Sequence, residues 1–197
     1  MSVYVPQVAL TRRPLVFWLI GALTVSFLVA LIVAAPLAAA TGHTDFAHGI
    51  YGAFGMFCHQ RPDRSYFIDG HKLAVCSRCT GLYAGFAVTT LLYPLLRSLR
   101  TVTLPPRSLL ILAAIPLLID FSLTFAGLWE NTHTSRLLTG ALLGSVVVFY
   151  VMPGLIELSL RSQQSRAERP NPLSFTLASP ESIATAPSDY SAPERRI

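Results

Sequence analysis

An all-α integral membrane protein, built as a four-transmembrane-helix bundle, follows from three features of this chain. Of its 197 residues, 52% are hydrophobic and only 13% are charged, about half the charged share of an ordinary soluble domain. Mean hydropathy is strongly positive at +0.53. Four apolar stretches approach the roughly 20 residues that a helix needs to cross a bilayer. They are continuous rather than alternating, so helices and not barrel strands are implied.

The elements follow in order. Residues 1–14 form a short N-terminal segment that ends in Arg12, Arg13 and Pro14. The first span, 15–40, is 26 residues without a charge. That exceeds the roughly 7–15 apolar residues of a secretory signal, so the helix is expected to be retained despite the small residues Ala38-Ala39-Ala40. Residues 41–79 form a long loop. The second span, 80–96, gains length if its helix starts near Cys76. After a loop at 97–107, the third span, 108–129, contains one carboxylate, Asp120. A turn at 130–136 leads to the fourth span, 137–156. Residues 157–197 are rich in Ser, Pro, Ala, Glu and Arg. They have too little apolar surface to offset ordering entropy, and a disordered C-terminal tail is expected.

Fifteen Lys and Arg against ten Asp and Glu give a net charge of +5. The basic residues sit beside the apolar runs, where they set topology and meet lipid headgroups; the expected partner is the lipid bilayer and not nucleic acid. With the N-terminus inside, inner segments hold ten Arg and outer segments five Lys or Arg. This favours a multi-pass protein of the cell (plasma) membrane, both termini cytoplasmic and the 41–79 loop extracytoplasmic.

That loop carries most of the chemistry. Asp45 to Phe57 is aromatic and glycine-rich, and Phe46, Gly49/Ile50, Ala53/Phe54 and Phe57 recur at helical spacing, as in an interfacial helix. Asp69-Gly70 between two strand-like runs predicts a short hairpin. The hairpin folds Cys76-Ser77-Arg78-Cys79 back toward Cys58-His59, so that all three cysteines of the chain meet. Three Cys and one His form a common closed tetrahedral zinc site. The expected metal ligands are therefore Cys58, His59, Cys76 and Cys79, with zinc as a structural cofactor that pins a loop with little core of its own. The same atoms permit a membrane thiol–disulfide oxidoreductase using Cys76 and Cys79 at a helix N-terminus, with Arg78 lowering the thiol pKa. A third alternative is a non-enzymatic subunit of a membrane complex. His43, His48 and His71 read as ordinary interface or hairpin side chains.

Within the spans, Asp120 is the one ionisable group well inside an apolar run, a functional candidate by default. Counted from Trp129, it lies roughly 13 Å below the outer interface at 1.5 Å per residue. Arg136 is expected to reach toward it, and Arg78, Asn131 and Arg136 join it as candidate site residues around a polar pocket. The pairs Gly81/Gly85 and Gly140/Gly144 are each G-x-x-x-G, which permits close helix approach.

The segments Phe57-Cys58-His59-Gln60-Arg61-Pro62, Arg64-Ser65-Tyr66-Phe67 and Cys76-Ser77-Arg78-Cys79-Thr80-Gly81-Leu82-Tyr83-Ala84-Gly85, with Asp120 and then Asn131, Arg136, Thr139 and Gly140, resemble a prokaryotic family of predicted membrane proteins (DUF2085-like). Tyr66 stands where the family pattern has Phe. The resemblance covers roughly Phe46 to Leu155 and implies that loop and pocket form one site; it implies no reaction. More weakly, C-x-x-C at a helix start is similar to the four-helix quinone-coupled thiol oxidoreductases of the vitamin K epoxide reductase type, but a second spaced cysteine pair is lacking. Because four protein ligands close a zinc ion to substrate, the reading is a structural metal capping a pocket for a lipid or small-molecule ligand.

Overall fold

The computed structural model describes residues 13–99, 101, 103–128 and 130–167. Five α-helices and one small hairpin make up the described chain. They are α1 (Arg13–Ala40), α2 (Thr44–Gly55), a 3₁₀ turn (Pro62–Arg64), β1 (Phe67–Ile68), β2 (His71–Lys72), α3 (Ser77–Leu96), α4 (Arg107–Phe125) and α5 (His133–Ala167). Four helical stretches are long and apolar enough to span a bilayer: Pro14–Ala40, Ser77–Leu96, Arg107–Phe125 and His133–Leu158. Many of their large apolar side chains face outward, among them Leu23, Phe27, Leu95, Ile111, Leu112 and Leu118. In water such surface would be a liability; in lipid it is the solvent-facing side.

Every spanning helix contains a proline: Pro36, Pro94, Pro116 and Pro153. A proline lacks the N–H that would bond the carbonyl four residues earlier. For Pro36 that carbonyl is Ile32, and it accepts instead from the Ala74 N–H at 3.4 Å. For Pro94 it is Thr90, which accepts from the Trp18 indole at 2.7 Å. Two proline-freed carbonyls thus tie α1 to the loop and to α3, as expected where no water is at hand to satisfy them.

Helices α3 and α5 meet backbone to backbone. A Cβ on Gly81 or Gly85 would strike the carbonyl oxygens of Leu137 or Ala141, and one on Gly140 or Gly144 those of Arg78 or Leu82. The contacts advance together along both helices, so α3 and α5 run parallel with both N-termini at the same end. That end carries the cysteines.

Several boundaries differ from the sequence expectation. Helix α3 begins at Ser77 with Cys76 as its N-cap, so the loop stops before 79. Helix α4 ends at Phe125, not at 129, because the chain turns through Ala126 into Gly127 at φ +68. Asp120 is therefore five residues from the helix end, roughly 7.5 Å at 1.5 Å per residue, rather than 13 Å deep. Helix α5 starts at His133, so Arg136 belongs to its first turn and not to a 130–136 connection. It also continues to Ala167. The tail expected to be disordered from 157 is helical to that point, since Leu158, Leu160, Arg161, Gln163, Gln164, Arg166 and Ala167 include many strong helix formers. Residues 1–12, Arg100, Val102, Trp129 and 168–197 lie outside the described residues.

Candidate metal centre and arginine-lined cavity

The loop is assembled from local signals. Asp69 and Gly70 both adopt positive φ, +48 and +80, the conformation a two-residue type I′ turn demands. The register pairs Phe67 with Lys72 and Ile68 with His71. Helix α2 buries Ala47, Ile50 and Phe54. Phe46 and Phe57, placed by the sequence on the same stripe, are instead exposed: the buried face is centred one residue from Phe46, and Phe57 lies beyond the end of α2 at Gly55. Ile50, Phe54, Cys58, Leu73, Ala74 and Val75 pack with Ile32 and Ala35 of α1 into one apolar cluster.

Polar groups lock the turn that carries Cys58. Gln60 sits at φ +48; its side-chain amide donates to the Tyr51 carbonyl at 2.6 Å, and its own carbonyl accepts from Lys72 Nζ at 2.8 Å. The Tyr51 hydroxyl donates to the Lys72 carbonyl at 2.5 Å. Ser77, fully buried, donates to the Arg64 carbonyl at 2.9 Å and lies 2.7 Å from His133 Nδ1. The Ser77–His133 contact ties the starts of α3 and α5 together.

Cys58, Cys76 and Cys79 come together: their three Sγ atoms all lie within 4.8 Å of one another. No disulfide joins them. Tetrahedral zinc–thiolate bonds of about 2.3 Å put sulfurs about 3.8 Å apart, so this donor set fits a zinc ion. The Cys76 N–H donates to Cys58 Sγ at 3.3 Å, the kind of outer contact that orients a metal-bound thiolate. Hydrogen bonding from the Cys76 side chain first, and then from Cys79, holds the Cys58 thiol well below the ordinary value against the opposing effect of burial. Cys76 as N-cap and Cys79 in the first turn of α3 meet the positive end of the helix dipole. His59 is not in this group; its exposed side chain lines the adjacent cavity.

That cavity has a volume of about 390 Å³, and Arg61, Arg64, Arg78 and Arg136 line it with the cysteines, Phe57 and Phe121. Asp120, 8% exposed, is held by Arg78 and not by Arg136: Arg78 Nη2 lies 2.5 Å from its Oδ2. The residue reaching Asp120 is thus the one between Cys76 and Cys79, at the start of α3. Arg78 also lies over the Phe121 ring, 5.7 Å from its centroid. Asn131 does not touch the carboxylate; its amide donates to the backbone carbonyl of Asp120, which also accepts from Thr124 Oγ1 at 3.1 Å. Arg136 is 9% exposed. Sequence reasoning missed Arg61 and Arg64, although a run of guanidinium groups beside Cys58-His59 was the available signal.

The profile of a family described as predicted membrane protein (DUF2085) matches residues 58–150, the stretch that holds the three cysteines, Asp120, Asn131 and Arg136. An uncharacterized protein of Methanocaldococcus jannaschii is 40% identical over 109 residues, 55% of this chain and 70% of that protein. An uncharacterized protein of Methanothermobacter thermautotrophicus is 37% identical over 105 residues, 52% of this chain and 93% of that one. No solved structure matches.

Proposed function

The chain belongs to the DUF2085 family of predicted membrane proteins, and from that premise we propose that it is a zinc-binding multi-pass membrane protein whose metal centre caps a ligand pocket. Cys58, Cys76 and Cys79 hold the ion. One observation carries the reading: three sulfurs from two separate stretches of chain converge within 4.8 Å without a disulfide. The zinc is structural, linking the Cys58 turn to the start of α3 across a loop whose own core is small. His59, next to Cys58 and at the cavity wall, is the fourth donor once its exposed ring turns inward. The cavity beside it receives a lipid or small-molecule ligand. The basic residues at the helix ends favour a loop outside the cell membrane with both termini in the cytoplasm.

The test is metal content. Protein purified in mild detergent is expected to hold about one zinc per chain by elemental mass spectrometry. Cys58→Ser, Cys76→Ser or Cys79→Ser should each abolish it, and His59→Ala should weaken retention against a chelator. Absence of zinc together with a reducible Cys76–Cys79 bridge would replace this reading by the thiol–disulfide one.

A further inference from the structure

We propose that the arginine-lined cavity is a binding site for a phosphate group, carried by a membrane lipid headgroup or by free phosphate. The proposal rests on reading this cavity as a ligand site and not on the metal. Four guanidinium groups line the cavity and, among the described residues, no carboxylate does. The acidic groups that pair with them engage one nitrogen of each: Arg61 and Arg64 share Asp63 at 3.2 and 3.3 Å, and Arg78 takes Asp120. Arg78 Nε is buried without a partner. Arg136, nine-tenths buried, has no hydrogen bond or ion pair to its guanidinium among the described residues.

An arginine carries five donors and cannot discharge its burial cost by losing a proton. A buried cation therefore calls for an anion. Arg61 and Arg64 are exposed to solvent and share Asp63; of the two more buried guanidinium groups, Arg78 is offset by Asp120. The charge of Arg136 stands unmatched, and it faces the cavity. The dipoles of α3 and α5 add to it, since their parallel N-termini open at this same end.

The geometry favours phosphate over carboxylate. Arg64 comes from the 3₁₀ turn, Arg78 from α3 and Arg136 from α5. Donors converging from three elements suit a tetrahedral group with several oxygens; a planar carboxylate is filled by one or two forks. Arg78 and Arg136 each occupy the first turn of a spanning helix, the level at which lipid phosphates lie. Phe57, 79% exposed, and Phe121, 50% exposed, give the rim an apolar side on which acyl chains can rest.

Native mass spectrometry of the full chain in dodecyl maltoside tests this with dioctanoyl phosphatidic acid, dioctanoylglycerol and inorganic phosphate as probes. One phosphatidic acid per chain is expected, at least about tenfold tighter than dioctanoylglycerol, which has the same tails without phosphate. Arg136→Gln should weaken phosphatidic acid by about tenfold or more and leave dioctanoylglycerol unchanged, while Arg136→Lys retains part of the affinity. Competition by millimolar phosphate identifies the free anion as sufficient; tight phosphatidic acid binding without that competition identifies the headgroup. Equal binding of the two lipids, acetate competing as well as phosphate, or unchanged affinity in the arginine variants would overturn the proposal. Zinc content read in the same spectra keeps the two readings apart, since Arg136→Gln should retain the metal. Should Arg136→Gln fail to fold, Arg64→Gln, whose side chain is 40% exposed, carries the same comparison.

Discussion

Asp120 is a buried carboxylate with a charged partner, and that partner sets the cost of replacing it. The carboxylate is 8% exposed and meets Arg78, whose side chain is 23% exposed. Removing one member of such a pair leaves a buried charge without compensation, at a cost of about 3–5 kcal/mol. Asp120→Asn is expected to destabilise the protein by about that amount in detergent unfolding. Replacing both, Asp120→Leu with Arg78→Leu, should recover much of the loss, because no lone charge remains. A single-variant loss as large as the double-variant loss would show that the pair acts through something other than its mutual charge.

At the level of elements, the prolines explain how helices with little polar surface are nevertheless fastened to particular neighbours. A helix interrupted at Pro94 offers the Thr90 carbonyl to one donor, Trp18. Trp18→Phe keeps the ring but leaves that carbonyl unpaired, an expected loss of about 1–3 kcal/mol. In a Pro94→Ala background the helix supplies its own N–H to Thr90. The cost of Trp18→Phe should then shrink markedly, and a double-mutant cycle in thermal unfolding measures the difference. The same logic at Pro36 joins α1 to Ala74, which holds the cysteine loop against the end of the first helix.

For the molecule as a whole, the α3–α5 seam positions the site. The four glycines permit backbone contact, and this contact sets Arg78 and Arg136 at one end with the sulfurs. Gly85→Ala places a methyl against the Ala141 carbonyl and should lower thermal stability by about 1–3 kcal/mol through overpacking. Gly154 in α5 has open space around its Cβ position, so Gly154→Ala should be neutral or stabilising by up to about 1 kcal/mol from helix propensity. Equal effects of the two substitutions would mean that the seam does not hold the bundle together.

Membrane-spanning segments, the Asp69-Gly70 hairpin and the gathering of three cysteines were all legible in the amino acids alone. Each depends on local pattern: apolar run length, a turn that only certain residues adopt, and the reach of a short hairpin. Which arginine meets Asp120, where α4 stops, which face α2 buries and that four guanidinium groups share one cavity were decided only by the packed structure. Such features depend on which backbones touch across α3 and α5 and which donors reach the carbonyls that the prolines release. Linear spacing does not encode these long-range contacts, because a pairing between elements is settled by the shape of both partners at once.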